Sequence, residues 1–184
     1  MLIAHVVPGY FAAVASQRSW DTGWSRGRWL VLWAVALGST VAPDLDVVYN
    51  GLFRGFVNHS TLWTHSAFVY AGVALAWWLA WRSRHSLRLG YPGMLLLLLA
   101  AGGFSHLTLD AIAHRTPLLY PLSQAMIGFA PKRVVEGGLL AYVTDPIFLL
   151  EPLLIAVALV HWLQRKRHSL RRPSSWRGGS PEVE

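Results

Sequence analysis

Residues 92–112, PGMLLLLLAAGGFSHLTLDAI, determine how the rest of this sequence is interpreted. The stretch has the length that a helix needs to cross hydrocarbon, about 20 mostly apolar residues. It nevertheless carries His106 and Asp110 near its end, and residues four positions apart lie on the same face of a helix. Ionisable groups in a membrane helix are costly and usually face a bundle interior, a partner or a cavity. The stretch therefore predicts a transmembrane helix with a polar site near one end.

The composition of the whole chain agrees with a membrane environment. Hydrophobic residues make up 54% and charged residues 14% of the 184 residues, whereas soluble domains contain about 25% charged residues. Ten Trp and six Tyr also fit, because these rings favour the two membrane interfaces. The sequence contains no Cys, so thiolate ligands and disulfides are excluded, and a metal would need His and carboxylate ligands.

Four other segments have the character of membrane segments: residues 28–43 (extended by a few residues), 62–81, 138–163 and 2–16. Segment 138–163 contains Asp145, Glu151 and His161, and segment 2–16 is short and interrupted by Pro8 and Gly9. The latter fits a tilted span, a re-entrant helix or a signal peptide, although no positive charge precedes it. The predicted fold is an all-α membrane bundle of about five transmembrane helices, with four as the fallback.

Basic residues predict the orientation of this bundle. Twelve of the sixteen lie in residues 17–28, 82–91 and 164–184, which share one side if every segment crosses once. Positive charge favours the cytoplasmic side, so that side is predicted to be cytoplasmic in a bacterial-type inner membrane. We expect a transmembrane domain over 1–163 and a basic, disordered cytoplasmic tail over 164–184. That tail is expected to meet anionic lipid headgroups rather than nucleic acid.

The same topology brings ionisable residues from separate segments to the outer side of the membrane. The predicted metal ligands are His5, Asp44, Asp46, His59, His65, His106 and Asp110, with His114, Asp145 and Glu151 as additional candidates. Pro43 disfavours helix at the preceding residue, and the irregular backbone would let Asp44 and Asp46 converge. The spacing of His106 and Asp110 lets both bind one ion, or lets the carboxylate orient the imidazole.

Each of these patterns also has a purely structural interpretation. Asp44 and Asp46 could cap a helix or solvate a loop, and His59 and His65 could be interfacial residues beside capping Ser and Thr. His106 and Asp110 could form a satisfied pair that only packs the bundle. Asp145 and Glu151 could pair with a base in an outer loop, such as Arg115.

Five short motifs in order resemble the YdjM-like family of inner-membrane-associated, LexA-binding, metal-dependent hydrolases. They are His5, Pro43-Asp44-Leu45-Asp46, His59 with Thr64-His65-Ser66, Ser105-His106 with Asp110, and Pro117-Leu118-Leu119-Tyr120-Pro121. The chain departs from the family pattern at Ser60 and Thr61, which replace an arginine and a glycine. The family looks distantly similar to zinc-dependent phospholipase C. That resemblance implies a zinc site of Asp44 or Asp46, His65, His106 and Asp110, with His5 near a second ion and Asp110 as a bridge.

The expected function is hydrolysis of a phosphoester in a lipid or lipid-linked substrate by one or more divalent metal ions, with zinc expected. Asp44 or Asp46 would act as general base, and Arg115, Lys132 and Arg133 would neutralise phosphate. Two other classes stay open: a non-catalytic metal-binding or regulatory membrane protein, and an ion- or proton-coupled transporter. The nearly charge-free inner halves of the helices favour a one-sided site over a transport path. The sequence contains no Gly-x-Ser-x-Gly, Walker-type or His-Glu-x-x-His motif.

Overall fold

A computed structural model describes residues 3–19, 23–53, 63–82, 90–113, 115–130 and 138–171. Within these ranges the chain forms helices and 3₁₀ turns, with no β-strand and one isolated bridge between Thr116 and Ile127. The prediction of an all-helical chain is confirmed.

Seven α-helices and three 3₁₀ turns make up the described part of the chain. The helices are α1 (Val6–Ser19), α2 (Arg26–Ser39), α3 (Leu45–Phe53), α4 (Ala67–Arg82), α5 (Tyr91–Ala113), α6 (Gly138–Thr144) and α7 (Leu150–Arg171). The turns Ala42–Asp44, Trp63–His65 and Pro146–Leu149 lead into α3, α4 and α7. Two of these turns carry residues that the sequence predicted to bind metal.

Helices α5 and α7 are the ones long and apolar enough to cross a membrane among the described residues. A third span results if α2 is counted together with residues 42–53, which bend away from it by 61°. Helices α1 and α4 have 14 and 16 residues. At about 1.5 Å per residue they are shorter than the roughly 30 Å of the hydrocarbon core. The predicted count of five transmembrane helices is therefore not confirmed.

Two predicted segments differ from the observed helices. Segment 138–163 is interrupted at Asp145, whose Oδ1 accepts a hydrogen bond from the Ile147 amide at 3.1 Å and so caps the turn that Pro146 begins. Helix α7 then continues to Arg171, so the predicted tail from 164 onward starts as helix rather than as disordered chain. Residues 172–184 lie outside the described residues.

Side-chain contacts define the relative directions of the helices. Helices α2 and α5 run the same way, because the Tyr91 hydroxyl donates to the Arg28 carbonyl at their starts and the Ser39 hydroxyl donates to the Leu98 carbonyl further along. A side chain at Gly102 would collide with Ser39, so this close approach requires glycine. Helix α4 runs antiparallel to α5, since the Ala67 amide at its start donates to the Leu118 carbonyl beyond the end of α5, and Tyr70 one turn later packs against Gly103 in the second half of α5.

Helix α1 runs parallel to α7. Ile3 contacts Glu151, Tyr10 contacts His161, and Gln17 contacts Arg165. One end of the bundle therefore gathers the beginnings of α1, α4 and α7 and the late parts of α2 and α5; we call it the site end. The opposite end, which we call the basic end, has Arg18, Arg26, Arg28 and Arg82 in the terminal turns of α1, α2 and α4, and Arg165 of α7 beside Gln17.

Candidate metal centre

Four of the predicted ligands meet at the site end of the bundle. Asp44 and His65 come from the 3₁₀ turns before α3 and α4, and His106 and Asp110 come from consecutive turns of α5. One potential ligand atom from each residue lies within 4.8 Å of all the others. His65, His106 and Asp110 are almost fully buried, whereas the Asp44 side chain is 33% exposed. The group could hold a metal ion, with Asp44 as its contact with the surroundings.

The distances among these atoms suit a single small ion. Asp44 Oδ1 lies 3.7 Å from His65 Nε2 and 3.4 Å from His106 Nε2. Asp110 Oδ2 lies 3.5 Å and 3.0 Å from the same two nitrogens. In a tetrahedral zinc site with bonds of about 2.0–2.2 Å, neighbouring ligand atoms are about 3.3–3.6 Å apart. Four of the six edges of such a tetrahedron are therefore already present within a few tenths of an ångström.

The environment of a neutral His106 suits a cation between these groups. Its Nδ1 lies 2.7 Å from the carbonyl oxygen of Thr40, which can only accept a hydrogen bond, so the proton of the neutral ring is on Nδ1. In this neutral form Nε2 presents a lone pair to the carboxylates of Asp44 and Asp110, whereas a protonated ring would place an N–H there, 3.0 Å from Asp110 Oδ2. Acceptors facing each other at these distances repel, and a bound cation would turn that repulsion into attraction.

His65 is oriented in the same way by a carboxylate behind it. Its Nδ1 lies 3.1 Å from Asp46 Oδ2, which also accepts a hydrogen bond from the Thr64 hydroxyl at 3.2 Å. Such carboxylate–histidine pairs fix the ring so that the other nitrogen faces the metal. Asp46 was predicted to be a ligand or the general base, but the structure places it on the far nitrogen of His65, outside the four-residue group. Its role here is to position His65.

His5 lies beside the group rather than in it. Its ring stacks on His106 with centroids 4.0 Å apart, and its Nε2 lies 3.1 Å from Asp110 Oδ1. Its Nδ1 lies 3.8 Å from Asp44 Oδ2. His5 therefore faces the second oxygens of the two carboxylates whose first oxygens face His65 and His106. Both ring nitrogens are buried without a hydrogen bond to the described residues.

Glu151 anchors the segment that carries His5. Its Oε2 accepts a hydrogen bond from the Ile3 amide at 2.9 Å, and its Oε1 accepts one from the Tyr142 hydroxyl at 2.6 Å. The residue is 3% exposed and lies in the first turn of α7, so it ties the segment before α1 to the start of α7. Glu151 was an additional candidate ligand, but it binds Ile3 and Tyr142 instead. Because Ile3 lies two residues before His5, this contact helps to position His5.

We expect Glu151→Gln to destabilise the protein and to loosen the start of α1. A hydrogen bond to a charged group contributes about 1.5–3 kcal/mol, and glutamine keeps one acceptor oxygen but places an NH₂ donor at the other position. Hydrogen exchange should be faster at residues 3–5 than in wild type. Tyr142→Phe is the matched control, since it removes one contact of the carboxylate and leaves the bond to Ile3. Equal exchange at residues 3–5 in wild type and Glu151→Gln would contradict the anchoring role.

The remaining residues predicted from the sequence lie outside the four-residue group or outside the described part of the chain. Asp145 caps the 3₁₀ turn before α7, as described above, and Arg115 follows the end of α5 by two residues. His59, His114, Lys132 and Arg133 lie outside the described residues, so their roles stay predictions.

One residue that shapes the site was not singled out from the sequence. Thr40 acts through its backbone carbonyl, which leaves no signal in residue type. Ser66 donates to the Tyr120 carbonyl at 2.5 Å, and the Ala67 amide donates to the Leu118 carbonyl at 2.9 Å. These bonds tie the start of α4 to the Pro117–Pro121 motif, so two motifs that the sequence separates by about fifty residues support one site.

Comparison with known proteins gives one match. The family model described as YdjM inner membrane protein matches residues 1–173, a range that includes all four residues of the candidate metal centre. No curated protein and no solved structure matches the chain, and the expected similarity to zinc-dependent phospholipase C is not confirmed. On the strength of the match over nearly its whole length, this chain belongs to the family of YdjM inner membrane proteins.

Proposed function

We propose that the protein is a zinc-dependent hydrolase that cleaves a phosphoester in a lipid or lipid-linked substrate. The observation that carries the proposal is the convergence of two imidazole nitrogens and two carboxylate oxygens, with His106 Nε2 facing both Asp44 and Asp110. This nitrogen and oxygen set, without thiolates, suits zinc among the common divalent metals. His5 and the second oxygen of Asp110 would contribute to a second ion.

The metal would lower the pKa of a bound water to about 7 and polarise the phosphoryl oxygen. Asp44 is the member of the group that is substantially exposed, so it can accept the proton of the attacking water. The water oxygen bonds to phosphorus while the bond from phosphorus to the substrate alcohol oxygen breaks. The proton then passes to that leaving oxygen, which departs as the alcohol. The products are an alcohol and a phosphate with one fewer ester bond.

The surface around Asp44 supports a lipid substrate. Helix α3 starts at the next residue and has two different faces: Asp46 and Asn50 are buried, whereas Leu45, Val48 and Leu52 on the opposite face are 63%, 55% and 73% exposed. An apolar face on a short helix at the end of a membrane bundle suits the boundary between headgroups and acyl chains. A phosphoester held at that boundary would reach Asp44 without leaving the membrane.

We also propose that α1, α2, α4, α5 and α7 all lie in the bilayer, with the site end facing the periplasm. The alternating helix directions and the Arg residues of the basic end support this orientation. Short segments such as α1 can be accommodated by local thinning of the bilayer.

The lack of native Cys allows a direct test of this orientation. An impermeant thiol reagent applied to intact cells should label Gln124→Cys and spare Arg26→Cys; the reverse pattern would overturn the orientation.

The function is tested by combining metal analysis with a substrate screen. Wild-type protein purified without chelators should contain zinc and hydrolyse phosphodiesters or phosphomonoesters, presented both as soluble esters and as phospholipids. His106→Ala should lose both properties, whereas His168→Ala, which removes an exposed histidine near the other end, should keep both. Wild type without bound metal would refute the proposal. Bound zinc without turnover of any phosphoester would favour a non-catalytic metal-binding protein.

A further inference from the structure

A second chemically distinct site lies toward the basic end of the bundle. Helices α1, α2 and α7 border an open cavity of about 300 Å³ lined by Tyr10, Trp33, Trp162, Arg165 and Lys166. We propose that this cavity binds the headgroup phosphate of an anionic phospholipid. The proposal does not depend on hydrolase activity, because the residues concerned are separate from the metal centre.

Two adjacent cations provide the charge for phosphate binding. The Arg165 guanidinium donates to the Gln17 side chain of α1 at 3.3 Å, and the Lys166 ammonium lies 5.3 Å from the centre of the Trp162 ring. These contacts hold both side chains where they line the cavity. Arg and Lys are the usual donors to phosphate oxygens in proteins, and charge-assisted bonds of this kind are the stronger hydrogen bonds. The sequence from 152 to 181 contains six basic residues and no acidic one, so the surroundings are strongly positive.

The aromatic lining favours an amphiphile over a free ion. The Tyr10 hydroxyl lies 3.0 Å from His161 Nδ1, and the same tyrosine ring packs against Trp33 with centroids 6.0 Å apart. Rings of this type prefer the headgroup level of a membrane, where they contact glycerol and the first acyl carbons. The neighbouring surface of α7 is apolar, since Leu159 and Val160 are each 52% exposed. A lipid could place its phosphate at the two cations and its chains along this surface.

The location of the cavity also fits this ligand. Arg165 lies fourteen residues beyond Glu151 on the continuous helix α7, which corresponds to roughly 21 Å along the bundle from the site end. The basic end is the one that positive charge assigns to the cytoplasm, and the cytoplasmic leaflet carries anionic lipids. The volume of about 300 Å³ is at the lower limit of ligand pockets, large enough for a phosphate and its glycerol.

The test is lipid binding to full-length protein in neutral detergent, followed by native mass spectrometry during titration with phosphatidylglycerol or phosphatidylcholine. Wild type should bind phosphatidylglycerol more tightly than phosphatidylcholine. The double variant Arg165→Gln/Lys166→Gln should bind phosphatidylglycerol roughly 30-fold more weakly. Arg26→Gln/Arg28→Gln removes the same charge from exposed positions that do not line the cavity, and it should change binding less than about threefold. Arg165→Lys should retain most of the affinity.

Three results would overturn the proposal. Equal losses in the two double variants would mean that anionic lipid is attracted by the diffuse charge of this end rather than by the cavity. Equal binding of the two lipids by wild type would remove the charge selectivity. Competition by inorganic phosphate or glycerol phosphate at the same concentration as the lipid would identify a site for a free phosphate. Zinc content, measured on the same samples, reports the metal centre separately and should not change.

Discussion

Asp110→Asn is expected to weaken zinc binding by more than about 100-fold, because loss of a supporting residue alone costs about 10–100-fold. Asp110 lies closer than Asp44 to every histidine of the cluster: its Oδ2 lies 3.5 Å from His65 Nε2 and 3.0 Å from His106 Nε2, and its Oδ1 lies 3.1 Å from His5 Nε2. Asparagine has almost the same shape but removes the negative charge, and its amide group can turn a donor toward the histidines. The centre would then lose one of its two anionic ligands without losing volume.

The measurement is zinc affinity by competition with a chromophoric chelator, together with the melting temperature with and without zinc. Asp145→Asn is the matched control, since Asp145 caps the turn before α7 and is not a member of the four-residue group. Zinc should raise the melting temperature of wild type and of Asp145→Asn but not that of Asp110→Asn, because a ligand stabilises only the state that binds it. Unchanged zinc affinity in Asp110→Asn would mean that the metal is bound elsewhere.

Local sequence rules predicted the part of this centre that lies on one helix. His106 and Asp110 are four residues apart, and helical periodicity alone brings their side chains to one face. The break at Pro43 was also predictable, because a proline disfavours helix at the residue before it. Charge placement predicted that His5, Asp44 and His65 come to the same end, and the structure brings them there.

The sequence could not predict which of Asp44 and Asp46 faces the other candidate ligands and which one orients His65. Both follow Pro43 closely, and either could face the metal in an irregular backbone. The outcome depends on the 3₁₀ turn, which directs Asp44 toward the α5 histidine and Asp46 toward the far nitrogen of His65. The proton position on His106 depends on the carbonyl of Thr40, a tertiary contact that no side-chain pattern records.

Helix lengths show a similar limit. Hydropathy gave one continuous segment over 138–163, but the capping bond of Asp145 and the following Pro146 divide it into α6 and α7. Hydropathy also ended the last segment too early, because α7 extends to Arg171 although residues 164–171 are mostly basic and polar. Hydropathy measures the preference for lipid, whereas a helix continues as long as its backbone hydrogen bonds do. Membrane depth and helix length are therefore separate properties in this chain.

Asp44→Asn is expected to reduce phosphoester turnover by about 100- to 10,000-fold at saturating zinc, the usual contribution of a positioned general base. Asp44 combines a ligand oxygen facing His65 and His106 with a side chain that is 33% exposed, whereas Asp110 is 1% exposed. The carboxylate can therefore reach both the metal and an incoming water. Asparagine keeps an oxygen ligand but cannot take up a proton. Turnover and zinc content should be measured on the same samples, so that loss of the base is separated from loss of the metal.

Asp46→Asn provides the matched comparison, because Asp46 contacts Nδ1 of His65, the nitrogen that points away from the other ligands. Its loss should weaken zinc binding by about 10–100-fold, yet turnover should return to near the wild-type value once zinc is saturating. Asp44→Asn should not recover under the same conditions. If both variants recover equally, Asp44 is only a ligand and the proton acceptor lies elsewhere. If neither recovers, the two carboxylates act as one unit around His65, and the assignment of separate roles from their positions would be wrong.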